Sequence, residues 1–191
     1  MGTIRAFIAV EIDRPNKEKL LNIISSLKKS NADVKWINEN QMHITLKFLG
    51  NVEENKILQI SNALKPIADN FSRFSITFSK IGAFPNIHQP RVVWVGIQKG
   101  ADELKNLSTK IEGDLEILGF PKEKRSYTAH LTLGRTRSLK NITNLTDLIK
   151  NAGFSSQNEI KINELILFKS TLTSAGAIYT PISKFNLGTI S

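Results

Sequence analysis

The sequence predicts a mixed α and β chain built twice over, with two packed lobes around one cleft. Three observations predict it. The tetrapeptide His43-Ile44-Thr45-Leu46 returns with one conservative change as His130-Leu131-Thr132-Leu133. Stretches with strand alternation and stretches with helical spacing succeed one another along the whole chain. Each tetrapeptide is preceded by a helix and followed by a helix and two strands, the mark of an internal duplication about a pseudo-twofold axis. No Pro-, Gly- or Ser-rich linker separates the halves, so the lobes are expected to pack intimately into one domain over residues 1–191.

The elements follow in order. Residues 3–12 are apolar and β-rich, and Arg14-Pro15 is expected to break that strand. Residues 16–30 place Leu20, Ile23, Ile24 and Leu27 at helical spacing. Residues 34–37 read as a short strand, 38–41 as a polar turn and 42–49 as a strand carrying the first motif, closed by Gly50-Asn51. A helix is expected over 53–68, with acidic residues at its start. Residues 71–84 alternate throughout and predict one long strand; 91–97 predict a densely apolar, central one. Leu104, Leu107, Ile111, Leu115 and Leu118 define a helix over 101–118, stopped by Gly119. A basic loop, 121–127, delivers the second motif strand, 128–135. A short helix over 144–150 and a hairpin of strands, 159–171 and 177–187, complete the chain.

Composition excludes several classes. With 40% hydrophobic and 23% charged residues the chain is that of an ordinary globular protein. No run of eighteen apolar residues predicts a membrane span, and the N-terminal residues lack the features of a secretory signal, so a cytoplasmic protein without a membrane partner is expected. The absence of cysteine excludes disulfides, thiol catalysis and cysteine-based zinc sites. No His-x-x-x-His pair or acidic cluster accompanies the three histidines, so no metal and no cofactor are expected. A formal net charge of +9 favours an anionic partner, nucleic acid first among them. The local clusters Lys122-Glu123-Lys124-Arg125 and Arg135-Thr136-Arg137 both flank the second motif.

Residues two apart on a strand share a face, so each motif should project an imidazole and a hydroxyl together, with Ile44 and Leu46, or Leu131 and Leu133, behind. Imidazole titrates near neutrality; two across a cleft can act as acid and base in one turnover. A threonine hydroxyl can hold a phosphoryl oxygen, and Arg135 can supply fixed positive charge. Strict alternation puts Arg135 on the wrong face relative to His130, unless Gly134 permits a bulge that re-aims it. This set suits displacement at phosphorus without a metal. There is no Walker loop and no G-x-S-x-G elbow. Phe48 stands at the first-motif offset that Arg135 occupies in the second, and reads either as a base-stacking ring or as core. Lys47 reads as a phosphate contact or as a solvated lysine, Trp36 and Trp94 as core, His88 as a surface residue, and Arg91 as a cleft-entrance or strand-start residue.

These motifs resemble those of the 2H phosphoesterase superfamily. The flanking stretches narrow the resemblance to the LigT-like RNA 2′,3′-cyclic phosphodiesterases, also described as 2′-5′ RNA ligases. The matching stretches are Arg5-Ala6-Phe7-Ile8-Ala9-Val10, Trp36 ahead of His43 to Gly50, and Gly82-Ala83-Phe84-Pro85. They continue with Pro90 to Gly96, His130 to Arg135 and the late Ser170 to Tyr179 segment, so they span nearly the whole chain. The resemblance implies a bilobal, pseudo-twofold LigT-like α+β fold: two antiparallel sheets backed by helices, with a central cleft. It implies metal-independent opening of a terminal 2′,3′-cyclic phosphate of RNA to a 2′-phosphomonoester. His43 would then be proton donor, His130 proton acceptor, and Thr45, Thr132 and Arg135 the phosphate-binding set. The residues alone leave open which histidine is acid and which base. The reverse reaction would join RNA ends through a 2′-5′ linkage. The expected partner is RNA with a cyclic-phosphate end or a cyclic nucleotide, met by a monomer. The competing readings are a phosphodiesterase on small cyclic or 2′-5′-linked nucleotides, and a non-catalytic RNA-binding module; the two intact histidines argue against the latter.

Overall fold

The computed structural model describes residues 2–156, 158–174 and 176–189. Met1 and Ala175, which fall in the N-terminal and late stretches read above, lie outside the described residues. The elements are β1 (Thr3–Glu11), α1 (Arg14–Lys28), β2 (Val34–Trp36), β3 (His43–Glu53), α2 (Ile57–Asp69), β4 (Phe74–Ile76), β5 (Phe78–Phe84) and β6 (Val92–Ile97). Then come α3 (Ala101–Ile117), β7 (His130–Thr136), α4 (Ile142–Asn151), β8 (Ile160–Ile162), β9 (Glu164–Thr173) and β10 (Gly176–Asn186).

Two antiparallel four-stranded sheets form the expected α+β architecture: β10-β9-β1-β3 and β2-β7-β6-β5. β1 is buried without a break from Ala6 to Val10, because both of its edges are paired and both of its faces are covered. α2 and α3 pack on the first sheet, against β9, β10 and β3; α4 packs on β5 of the second sheet and meets α1. Neither lobe is continuous in sequence. β2 lies in sequence between β1 and β3 of the first sheet yet belongs to the second, and α3 follows a strand of the second yet packs on the first. One cluster of buried Ile, Leu and Val side chains therefore runs through both lobes, from Ile8 and Ile44 to Val95 and Leu131.

Several local expectations change. Arg14-Pro15 begins α1: the Asp13 carboxylate accepts the Asn16 N–H at 3.0 Å, and Pro15 sits in the first turn, where its missing N–H leaves no gap. β3 does not end at Gly50-Asn51; Gly50 takes φ +70° and the strand bends onward to Glu53. The acidic stretch expected to start a helix at 53 ends β3 and forms a 3₁₀ turn, Glu54–Lys56, ahead of α2. The long strand expected over 71–84 is two strands in different sheets, β4 on β8 and β5 on β6. The division falls at Thr77, whose N–H and C=O bond Lys99 and Gln98 and whose hydroxyl accepts the Lys99 N–H at 3.2 Å. The alternation is real, but the ladder partner changes midway. In the same way residues 159–171 divide into β8 and the start of β9.

Candidate active site

The motif strands β3 and β7 face each other where the sheets meet, and their local geometry is the same. On β1, Ala9 pairs with Thr45 and Ile8 with Lys47, so Leu46 is an extra residue. On β6, Trp94 pairs with Thr132 and Val93 with Gly134, so Leu133 is extra. Each motif thus carries a β-bulge at its fourth residue. A bulge reverses the alternation beyond it. Phe48 and Arg135 consequently join the His/Thr face, and both line the cleft with His43, Thr45, His130 and Thr132. The bulge that Gly134 was expected to permit is present, displaced by one residue, and Arg135 is re-aimed as required.

The residue just past each bulge is driven inward. At Gly134 a Cβ would stand 2.7 Å from Val34 Cγ1 and 2.8 Å from Trp36 Cε3, so only glycine fits. The same slot in β3 holds Lys47, which is neither a phosphate contact nor solvated. It is 3% exposed, ion-paired with Glu112 of α3, and donates to the Pro121 carbonyl at 2.9 Å. The carbonyls around the β3 bulge are also satisfied: Tyr127 Oη donates to Thr45 O at 3.0 Å and Ser108 Oγ to Leu46 O at 2.8 Å. Burial pushes the Tyr127 phenol up, which keeps it a donor.

Each histidine is bonded to the backbone of the residue two before it. His130 Nδ1 lies 2.7 Å from Thr128 O. A carbonyl can only accept, so Nδ1 carries the proton and Nε2 keeps its lone pair. His43 makes the corresponding backbone hydrogen bond with Gln41. Aromatic rings hem in both. Phe7 lies 4.7 Å from His43 between ring centroids and Tyr179 5.0 Å, edge-on; Phe84 lies 5.0 Å from His130, also edge-on, and Trp94 6.3 Å. Burial drives the His43 pKa down to about 4, with further lowering from Lys17, His130 and Arg135 against a raising Gln41 bond. Burial also lowers His130, and Arg135 adds to it. Both imidazoles are therefore neutral at neutral pH.

The cleft has a volume of about 700 Å³. Its charged lining is Arg5, Lys35 and Arg135, with no aspartate or glutamate among the described residues. Phe48 is 56% exposed, which excludes its reading as core. Trp36 lines the cleft and Trp94 borders His130, so neither is simply core; His88 is exposed, as expected, and so is Arg91 at the start of β6. Residues 122–126 of the basic loop are exposed, and the cations of the cleft come instead from β1, β2 and β7. Phe7, Tyr179, Phe84, Arg5 and Lys35 were not singled out as site residues from sequence. For the first two and Arg5 a signal existed, since Arg5 and Phe7 alternate along β1 and Tyr179 ends the late segment.

The comparisons with known proteins agree with this construction. The model of the LigT-like phosphoesterase family matches twice, over residues 10–94 and again over 95–179, one match to each motif. The RNA 2′,3′-cyclic phosphodiesterase of Methanothermobacter thermautotrophicus is 33% identical over 96% of this chain and 99% of its own. That of Archaeoglobus fulgidus is 36% identical over 95% and 99%. Among solved structures, the TT0787 protein of Thermus thermophilus superposes with a TM-score of 0.83 at 22% identity, over 98% of this chain and 100% of that one. E. coli LigT complexed with 3′-AMP gives 0.77 at 21%, over 97% and 99%. The shared fold, the twofold family match and the full-length relatives place this chain in the LigT-like phosphoesterase family, as a phosphodiesterase.

Proposed function

We propose that the protein opens terminal 2′,3′-cyclic phosphates of RNA to 2′-phosphomonoesters, using its two histidines and no metal. The observation that carries this reading is the pairing of two backbone-tethered imidazoles across one cleft lined by cations, each beside a threonine, with Arg135 turned in by a bulge. The names of its full-length relatives support the same substrate, and LigT, which shares the fold, was solved with 3′-AMP.

Water attacks phosphorus while His130 Nε2 takes its proton. The bond from phosphorus to O3′ breaks, and protonated His43 gives its proton to O3′. Thr45, Thr132 and Arg135 hold the phosphoryl oxygens as charge builds on them. Phe48, exposed beside them, stacks on the base of the terminal nucleotide. The donor and acceptor roles follow the family pattern. The reverse path, with a 5′-hydroxyl in place of water, makes a 2′-5′ linkage.

The test is turnover of 2′,3′-cyclic AMP and of an RNA ending in a cyclic phosphate, with EDTA present and products separated by chromatography. The expected product is the 2′-phosphomonoester alone. A 3′-phosphate product, or turnover abolished by EDTA and restored by a divalent cation, overturns the proposal.

A further inference from the structure

Two cations line the cleft that the two-histidine chemistry does not use. Arg5 is on β1, one strand repeat, or about 7 Å, beyond Phe7, whose ring touches His43. It pairs with Asn51 of β3 and Ser170 of β9, just past the Phe7–Phe48 pair. Burial raises the Tyr179 phenol while Arg135 and Arg5 both act against that rise, and all three residues line the cleft. Lys35 is on β2 of the other sheet, directly opposite Arg135. Opposed residues of an antiparallel pair share a face, and like charges there repel.

Arg5, Lys35 and Arg135 have no acidic partner and no side-chain hydrogen bond among the described residues. What distinguishes these three is that they converge on one cleft whose lining has no carboxylate among the described residues. The fold thus keeps unneutralised positive charge on both walls of the cleft, in an arrangement that repels itself until an anion enters. Arg5 stands one strand repeat along β1 beyond the residue whose ring borders His43, so it is placed for a charge other than the one the histidines act on. Phe48 lies between the two regions, and Leu172, 67% exposed, lies along the same wall.

We propose that Arg5 and Lys35 form a second anion subsite that takes the phosphodiesters upstream of the terminal cyclic phosphate. The enzyme then selects an RNA end over a cyclic mononucleotide. This inference rests on the cyclic-phosphate reading above. Both side chains are exposed, so substitution leaves the fold intact.

The test compares 2′,3′-cyclic AMP with a trinucleotide ending in the same cyclic phosphate, between about 50 and about 200 mM salt. In the parent, kcat/KM favours the trinucleotide by roughly tenfold at the lower salt, and the preference shrinks as salt rises. Arg5→Gln and Lys35→Gln each reduce that preference several-fold and lower the salt slope by about 0.7; Arg5→Lys retains most of it. A parent that opens both substrates with equal kcat/KM, or Gln variants that keep the full preference and slope, overturns the subsite and leaves the cyclic-phosphate reading standing. A parent that opens neither substrate overturns that reading and the subsite with it.

Discussion

At the scale of single residues, the environment of His43 has two measurable consequences. An acid is needed only where the leaving oxygen is poor. On a cyclic phosphate, His43→Ala should therefore lower kcat/KM by about 10³-fold. On a 3′-deoxynucleoside 2′-(4-nitrophenyl phosphate), whose nitrophenolate departs unaided, the same change should cost less than about tenfold. His130→Ala should lose about 10³-fold on both, because water must still be activated. The opposite pattern would exchange the roles of the two histidines. The second consequence is for stability. Burial lowers the folded-state pKa of His43 from 6.5 to about 4, so the unfolded chain binds the proton more readily between those values. This contribution is fully present above pH 6.5 and is lost as pH falls through about 4, amounting to on the order of 2 kcal/mol for a ring that still borders the open cleft. Urea unfolding of the parent and His43→Gln at pH 7, 5.5 and 4 checks it, the variant losing less on acidification. Parallel losses in the two proteins would count against it.

At the scale of elements, the bulges do most to build the site. Each turns a hydrophobic strand face into a functional one for a single residue, and the residue after it must then be accommodated inside. Gly134→Ala should destabilise by about 1–3 kcal/mol through contact with Val34 and Trp36, and should weaken phosphate binding by shifting Arg135. Phosphate titration and urea unfolding of the same preparation test both effects; an alanine variant of parental stability would show that β2 yields freely. Lys47→Met leaves Glu112, whose side chain is only 13% exposed, without its cation and should cost about 3 kcal/mol, whereas the double change with Glu112→Leu should recover most of that. The strands and helices were mostly legible in sequence because burial imposes its period on them. His43, Thr45, His130 and Thr132 were legible because a repeat singles them out. Arg135 was legible only conditionally, since its face depends on a bulge that leaves no residue pattern of its own beyond Gly134. Lys47 was misread for the same reason: alternation placed it with His43, and the bulge at Leu46 buried it. Residues 71–84 read as one strand because alternation reports which face is buried and says nothing about which neighbour supplies the hydrogen bonds.

At the scale of the whole molecule, the two lobes share one field. Arg5 on the first sheet and Lys35 and Arg135 on the second converge on a cleft with no lining carboxylate among the described residues. Gln41 ties the two sides together: its Oε1 accepts the Asn38 N–H at 3.1 Å in the turn before His43, and its Nε2 donates to Ala177 O of β10 at 2.7 Å. Burial first, and then the charge of Arg135, hold both imidazoles neutral. A bound phosphodiester brings negative charge beside them and favours their protonated forms. The pH dependence of kcat/KM reports the free enzyme, and that of kcat reports the complex. Both profiles should be bells, with His130 needed neutral on the acid limb and His43 needed protonated on the alkaline limb. The kcat/KM bell should centre below neutrality, between the depressed values of the two histidines, and the kcat bell should lie at higher pH. The cyclic phosphate does not titrate in this range, so the displacement belongs to the protein. Initial rates from pH 4.5 to 9 at constant ionic strength, on the parent and on Arg135→Gln, measure it. Removing Arg135 lifts a lowering influence from both rings, so its kcat/KM bell should move toward neutrality as its rate falls. Flat profiles from pH 5 to 9, or kcat and kcat/KM bells that coincide, would mean that the charge of the substrate does not set the protonation of the pair.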